Sequence, residues 1–317
     1  EKLKAVERAK RIEREDKAKA LAEQKESEKK YSPYIARMFS GSVISDFVNK
    51  RRSEFMEGII KESNLFRIIE PGMSLGGFYD SIYKHLLKTY RNEYIYKNAI
   101  AEKILLGKHS LNTSFMLTEF RTAECKADTV VLNGTSNVYE IKSEFDSLDR
   151  LQKQIKAYQK VFDLIHIITS PSQLEKVEKV MDSKIGIMVL TERNTIKTIR
   201  EPKSGRNQVQ PMIIFDSLRK AEYVSIIKDI FGFIPDVPNT LIYKKCKALF
   251  CKLSPEKAHD SMVNVLKKRG NSICLKEFIL GVPDSLKAAS LTAKLTKNQR
   301  MRFREMLEQD IESYFYS

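Results

Sequence analysis

The sequence is poor in several residue types that define particular protein classes. Its 317 residues include 4 cysteines, 9 prolines, 12 glycines and no tryptophan, which excludes collagen-like and disulfide-stapled chains. The cysteines form no Cys-x-x-Cys pair, so we expect reduced thiols and a cytoplasmic protein. Uninterrupted apolar runs fall well short of the roughly 20 residues that span a bilayer, and we expect no membrane partner.

The composition that remains is typical of a globular protein, with 42% hydrophobic and 31% charged residues. The length predicts one large domain or two modest ones. The 56 lysines and arginines outnumber the 41 aspartates and glutamates, which gives a formal net charge of +15. Such an excess attracts polyanions and makes DNA the expected partner. The alternative is that the surplus of lysine serves only solubility.

The pattern of charge and hydrophobicity divides the chain into four predicted segments. Residues 1–30 interleave basic residues with glutamate at helical spacing and predict an exposed helix. We expect this helix to be solvated or to dock a protein partner, in preference to binding DNA. Residues 31–78 predict a helical N-terminal subdomain. Residues 239–317 predict a helical C-terminal region with a second docking surface. Residues 79–232 mix helical and strand patterns and predict an α/β domain.

Within this α/β domain the predicted order is α-β-β-β-α-β-α-β. Asn133-Gly134 between two alternating apolar runs is a strong hairpin signal. Asp146 or Ser147 is a suitable N-cap for the helix that follows the hairpin. The predicted helices cover residues 79–106, 147–162 and 172–181, the strands cover 112–120, 127–132, 137–142, 164–169 and 185–190, and a basic loop covers 191–211.

The two arms of the hairpin carry charged side chains that are suited to chemistry. Asp128 lies on one arm, and Glu140 and Lys142 lie on the other, two residues apart and hence on one face of the strand. A pair of carboxylates with substrate phosphate is a natural site for Mg²⁺ or Mn²⁺. A neighbouring lysine can act on the attacking water. The alternative is an ordinary surface ion pair.

This order of residues, Asp, hairpin, Glu-x-Lys and then a helix, resembles the PD-(D/E)XK nuclease superfamily over about residues 92–190. The resemblance implies a restriction-endonuclease-like αβββαβ core with a mixed sheet, flanked here by helical regions at both ends. Gln154 and Tyr158 match the Q-x-x-x-Y pattern of RecB-like members, in which both side chains help to position substrate. The run from "NEYIYKN" through "TEFR" to "YEIKSEFDSLDRL" is also similar to a largely uncharacterised bacterial family within that superfamily.

Relatives of this type usually supply a further acidic metal ligand from the helix before the sheet. Glu93 is the first candidate, Glu119 at the end of the first strand is the second, and Glu102 is the third. Asp128 is preceded by Ala127 instead of the proline of the family's motif, a proline that is often absent in relatives. Glu93 as a plain helix-surface carboxylate, Gln154 as a solvated residue and Tyr158 as a core aromatic remain alternatives.

The basic loop supplies candidate phosphate contacts, namely Arg193, Lys197, Arg200 and Arg206, with a merely solvated loop as the alternative. The sequence has no phosphate-binding GxxxxGK[ST] loop, GxGxxG turn, GxSxG elbow or HExxH motif. We therefore predict an Mg²⁺- or Mn²⁺-dependent deoxyribonuclease. The alternatives are a non-catalytic nucleic-acid-binding or scaffold protein, and an RNase or a defence or mobile-element component that acts only within a complex.

Overall fold

The computed structural model describes Lys19, Glu26 and residues 30–315, apart from positions 64, 110, 123, 271, 272 and 294. The charged helix predicted over residues 1–30 therefore lies almost wholly outside the described residues. Residues 30–37 are helical. The α-helices that follow are α1 Gly41–Lys50, α2 Glu54–Glu62, α3 Leu75–Thr89, α4 Glu93–Ala99, α5 Leu151–Tyr158, α6 Leu174–Val180, α7 Pro211–Asp216, α8 Lys220–Phe231, α9 Asn239–Phe250, α10 Pro255–Lys267, α11 Ile273–Gly281, α12 Lys287–Thr292, α13 Lys297–Glu308 and α14 Glu312–Phe315.

Helix α4 continues without a break into a π-helical segment, Ile100–Leu106. The helical prediction for residues 79–106 is therefore met by α3 and α4 with the π-helical segment, with a break at residues 90–92. Among the described residues, no helix combines the length and the apolar character needed to cross a membrane.

Six strands form one mixed sheet in the order β1-β2-β3-β4-β5-β6. Strands β1 to β3 are antiparallel neighbours, β3 to β5 are parallel, and β6 runs antiparallel to β5. The α/β class with a mixed sheet is thus confirmed. The strands are β1 Phe115–Thr122, β2 Cys125–Leu132, β3 Ser136–Lys142, β4 Leu164–Thr169, β5 Gly186–Leu190 and β6 Ile196–Arg200.

Two local predictions are wrong. The basic segment 191–211 is not all loop, because residues 196–200 form β6 after a tight turn in which Thr191 N–H donates to the Thr195 carbonyl at 2.8 Å. The helix after the hairpin begins at Leu151 instead of residue 147. Asp146 does not cap it, since its carboxylate accepts hydrogen bonds from the N–H and hydroxyl of Ser143 at 2.8 and 2.6 Å.

The sheet separates two hydrophobic clusters. One cluster packs α1 to α4 and the C-terminal helices α11 to α14 against Tyr139 and Ile141 of β3. The other packs α5 to α10 against Val130 of β2 and Val138 of β3. The strand therefore alternates its side chains between two cores, as a central strand does. The predicted division of the chain into segments 31–78, 79–232 and 239–317 stays a prediction.

Candidate functional site

The hairpin β2–β3 brings Asp128 next to the strand that carries Glu140 and Lys142. The turn uses Gly134 at φ 96°, a left-handed conformation that glycine adopts readily. Thr129 pairs with Tyr139 across the hairpin, and the Asp128 carboxylate accepts a 2.8 Å hydrogen bond from the Ile141 N–H. Asp128 is thereby fixed beside the backbone between Glu140 and Lys142.

Glu140 is 1% exposed, so its carboxylate depends on protein partners instead of water. The ammonium of Lys142 lies 2.9 Å from Oε1, and the side-chain amide of Gln154 donates to the same oxygen at 2.5 Å. The Tyr158 hydroxyl donates to Oε2 at 2.7 Å. Lys142 also donates to the Gln154 carbonyl oxygen at 3.1 Å. The four side chains therefore hold one another in fixed orientations.

Helix α5 supplies the last two members of this group because its residues 154 and 158 are one turn apart and face β3. Leu151 and Ile155 on the same helix are buried in the second cluster and fix its position. Burial and the neighbouring Glu140 charge raise the pKa of Tyr158 far above its usual range. Tyr158 therefore stays a neutral hydrogen-bond donor at every working pH.

Asp128 lies in an unfavourable electrostatic position. Burial, followed by repulsion from Glu140 and Glu93, raises the pKa of its carboxyl to about 8, against the opposing effects of the Ile141 N–H and Lys97. Two carboxylates that share a site oppose each other's ionisation. A bound cation would remove that repulsion, so this pKa shift is what a cation-binding pair of carboxylates is expected to have.

Lys97 belongs to the site and is missed in the sequence analysis. Its ammonium lies 2.6 Å from Glu93 and 3.3 Å from Glu119. Burial lowers the pKa of Lys97, but Glu93, Glu119 and Asp128 outweigh that effect and leave the pKa raised. The i,i+4 spacing of Glu93 and Lys97 is visible in the sequence, but such pairs are common on helix surfaces and single out no site.

The three candidates for a further acidic ligand differ in position. Glu93 is close enough to Asp128 to shift its pKa. Glu119 is paired with Lys97 and, at 2.8 Å, with Lys126, whose hydrogen bond lowers the pKa of Glu119. Glu102 lies within the π-helical segment and is paired with Lys103 at 3.0 Å. Of these three candidates, Glu93 is therefore the one whose charge acts on Asp128.

The donor chemistry of Asp128 and Glu140 fits a hard divalent cation. Among the described residues, no group of three or more His, Cys, Asp or Glu side chains is arranged to hold a metal ion. Mg²⁺, however, commonly uses one or two carboxylates and takes its other ligands from water and phosphate. The two oxygens of a carboxylate offer about four acceptor positions. Lys142, Gln154 and Tyr158 occupy three of those of Glu140, which leaves one for a cation.

The four predicted phosphate contacts lie at different ends of the sheet. Arg193 is exposed in the turn after β5, at the edge where the parallel strand β3 ends with Lys142, and Lys197 is exposed on β6. Arg200 instead donates to the Ile185 carbonyl at 2.8 Å, and Arg206 is ion-paired with Asp260. Of these four predicted contacts, Arg193 and Lys197 are the two whose side chains are exposed at the edge of the sheet where β3 and β5 end.

A second polar cluster has the hydrogen-bond order of a nucleophilic triad. Ser136 and His259 Nε2 are 2.8 Å apart, and His259 Nδ1 lies 3.3 Å from Asp260. Both Ser136 and His259 are fully buried, and the Ser136 hydroxyl accepts a hydrogen bond from the Asp163 N–H at 3.0 Å. These contacts fasten α10 to β3 and give no path to a substrate.

Comparisons with known proteins identify relatives but no activity. Protein cII of Enterobacteria phage P4 is 26% identical over 170 residues, which are 52% of this chain and 63% of that protein. A solved protein of unknown function from Silicibacter pomeroyi is 18% identical, with a TM-score of 0.24 over 29% of this chain and 62% of the other. That TM-score is too low to support a statement about the fold.

The family described as bacteriophage P4 protein cII matches residues 87–282, a span that contains all the candidate site residues. Because the match covers more than half of the chain, the protein belongs to the bacteriophage P4 protein cII family.

Proposed function

We propose that this protein is a divalent-metal-dependent nuclease that hydrolyses phosphodiester bonds in DNA. The observation that supports the proposal most is that Asp128, Glu140 and Lys142 lie together on one hairpin. Gln154 and Tyr158 both donate hydrogen bonds to the Glu140 carboxylate. Five polar side chains at a partly buried position cost stability. Four of them are joined by hydrogen bonds and an ion pair, and Asp128 is bonded to the backbone beside them. A chemical role would account for placing them together.

The same proposal extends to the finer fold and to the superfamily. The order α4, β1, β2, β3, α5, β4 matches the αβββαβ core of the restriction-endonuclease-like PD-(D/E)XK nucleases. The Asp and Glu-x-Lys residues fall on the second and third strands of that order. The family match to phage protein cII names no chemistry, so this assignment rests on the element order and the side-chain geometry.

Each residue has a distinct part in the proposed reaction. Asp128 and Glu140 would hold Mg²⁺ or Mn²⁺, with Glu93 or Glu119 as a further acidic residue. When bound, the metal would supply positive charge that favours ionisation of the attacking water and stabilises charge on the phosphate. Lys142, whose ammonium is fixed by Glu140 and Gln154, would orient that water. Gln154 and Tyr158 would keep the Glu140 carboxylate in one orientation.

The proposal is tested by incubating supercoiled plasmid, linear duplex and single-stranded DNA with the protein at low salt, in Mg²⁺, Mn²⁺ or EDTA. We expect metal-dependent cleavage by the wild type and a rate at least about 100-fold lower for Lys142→Ala, the magnitude typical of losing one electrostatic catalytic group. Lys142→Gln keeps a hydrogen-bond donor and serves as a second variant if alanine impairs folding. Lys179→Ala, an exposed lysine on α6, is the matched control.

Equal cleavage by wild type, Lys142→Ala and Lys142→Gln would refute the catalytic assignment. The absence of cleavage together with tight, salt-sensitive DNA binding would favour the alternative of a non-catalytic nucleic-acid-binding or scaffold protein. The choice of substrate that is cut would also separate endonuclease from exonuclease activity.

A further inference from the structure

A cavity of about 640 Å³ lies beside the candidate site. Glu93, Lys97 and Glu119 form one of its walls, so it is continuous with the group that surrounds Asp128. The cavity is also lined by the cation of Arg37 and by Ser42 of α1, which carries a hydroxyl. A volume of this size lies within the usual range for small-ligand sites and is ample for one nucleotide.

An aromatic pair stands at the edge of this cavity. Tyr90 lines the cavity and its ring lies 4.8 Å from that of Phe145, with an interplanar angle of 32°. Phe145 is 61% exposed, three residues after Lys142 in the chain. An exposed phenylalanine costs solvation free energy, and here its ring is held against Tyr90 in the segment that follows the proposed catalytic lysine. One face of an aromatic surface is therefore available to a ligand.

Charge and shape together restrict the class of ligand. Arg37 and the serine hydroxyls suit a phosphate, whereas the aromatic pair suits a nucleobase. Bases inside a duplex are stacked on both faces and cannot reach an aromatic side chain. An unpaired or terminal base can do so, and a cavity for one nucleotide admits a single strand but not a duplex.

We propose that the cavity binds an unpaired nucleotide of a DNA strand, with a base stacked on Phe145 and Tyr90 and phosphate contacts from Arg37 and the α1 serines. This inference deepens the proposed nuclease function and rests on it, because cleavage of the bound strand requires that function. It makes the preferred substrate a single strand or an overhang at a duplex end, with the strand leading from the cavity toward Asp128 and Glu140.

Binding is measured in EDTA, so that no cleavage occurs, by fluorescence anisotropy of the full chain. The probes are a labelled single strand, a blunt duplex, and the same duplex with a single-stranded overhang. We expect the first and third probes to bind at least about 5-fold more tightly than the blunt duplex, which is the lower range for stacking one base. Phe145→Ala should abolish this preference, and Phe145→Tyr should keep it.

Charge inside the cavity is tested by a matched pair of variants at exposed Ser42. Ser42→Glu should weaken single-strand binding about 10-fold more than Ser42→Gln does, because the two side chains have nearly equal volume and only glutamate repels phosphate. A free deoxynucleoside monophosphate serves as competitor. Partial competition at high concentration supports a nucleotide-sized cavity, whereas complete competition with equal binding of all three DNA probes would mean a free nucleotide site and overturn the proposal.

The two proposals fail in different ways. Equal affinity for blunt and overhang duplexes in the wild type, unchanged in Phe145→Ala, overturns the cavity proposal even if metal-dependent cleavage is found. A strand-end preference that Phe145→Ala removes supports the cavity proposal even if no cleavage occurs, in which case the nuclease function is what fails.

Discussion

Single residues decide how the carboxylates of the site coexist. Glu140 is buried and satisfied by three donors, whereas Asp128 has one backbone donor and two carboxylate neighbours. The repulsion is therefore seen as a raised pKa of the Asp128 carboxyl. This difference leads to two predictions, one about the donors of Glu140 and one about the pH dependence of stability.

The Tyr158 hydroxyl is expected to stabilise the protein and to support cleavage. Tyr158→Phe removes a donor to buried Glu140, which should cost about 1–3 kcal/mol of unfolding free energy and lower the cleavage rate about 10-fold. Urea denaturation followed by circular dichroism measures the first effect. Tyr79→Phe is the matched control, because the Tyr79 hydroxyl is also buried but contacts only the Met56 sulfur at 3.8 Å. Equal losses in the two variants would contradict the prediction.

Asp128→Asn is expected to stabilise the metal-free protein as pH rises. A carboxyl whose pKa is raised in the folded state contributes stability at low pH and loses it as pH rises from about 4 through about 8. The variant escapes that loss, so its melting temperature in EDTA should exceed that of wild type at pH 9 and approach it at pH 4. Each kcal/mol corresponds to roughly 2–4 °C.

Metal provides a second measurement on the same variant. Mg²⁺ should raise the melting temperature of wild type, because it binds the folded state only, and should have a much smaller effect on Asp128→Asn. Asp149→Asn makes the same chemical change at an exposed position and is the control. A difference in melting temperature that does not vary with pH would show that repulsion at Asp128 is not its cause.

At the scale of elements, helix ends depend on partners that are distant along the chain. Helix α11 ends beside Lys287, a lysine that is 6% exposed and donates to the carbonyl groups of Ile279, Leu280 and Val282 at 3.1, 3.3 and 2.7 Å. A cation near the last carbonyls of a helix satisfies groups that have no partner within the helix. Lys287 thus joins α11 to α12.

Lys287→Met should therefore destabilise the protein by about 2–4 kcal/mol, although methionine fills a similar volume. The loss arises because methionine has no N–H to donate to the three carbonyl groups that Lys287 contacts. Lys228→Met, on the exposed face of α8, should change stability by less than about 0.5 kcal/mol. Chemical denaturation of the two variants measures the difference, and a Lys287→Met protein as stable as the control would refute this role.

At the scale of the whole molecule, the two ends of the described chain close over one face of the sheet. The Leu75 N–H donates to the Gln309 carbonyl at 2.9 Å, and the Ile311 N–H donates to the Met73 carbonyl at 2.9 Å. Helices from both ends share the cluster that supports Tyr139 and Ile141. The hairpin with Glu140 is consequently supported on that face by helices from both parts of the chain, and a site of fixed geometry needs such support.

The net charge of +15 predicts strongly salt-dependent DNA affinity. If about six phosphates are contacted, affinity should fall about 10³-fold between roughly 50 and 200 mM salt. Arg193→Ala should reduce the slope of log affinity against log salt by about one, the loss expected for one phosphate contact. Arg206→Ala should leave the slope unchanged, since Arg206 is paired with Asp260. Equal slopes for Arg193→Ala and wild type would remove Arg193 from the DNA contacts.

The sequence by itself determined the features that depend on local periodicity. Alternation, the Asn133-Gly134 turn and the spacing of Gln154 and Tyr158 specify strands, hairpin and helix face, because each involves residues only a few positions apart. Glu140 and the four polar side chains proposed to act with it could therefore be named before their contacts were seen.

Only the tertiary structure decided the rest. Lys97 between Glu93 and Glu119, the raised pKa of Asp128, the pairing of β6 with β5 and the cavity beside α1 all depend on segments brought together from distant parts of the sequence. Burial and Coulomb interactions follow distance in space, and no local pattern encodes that distance.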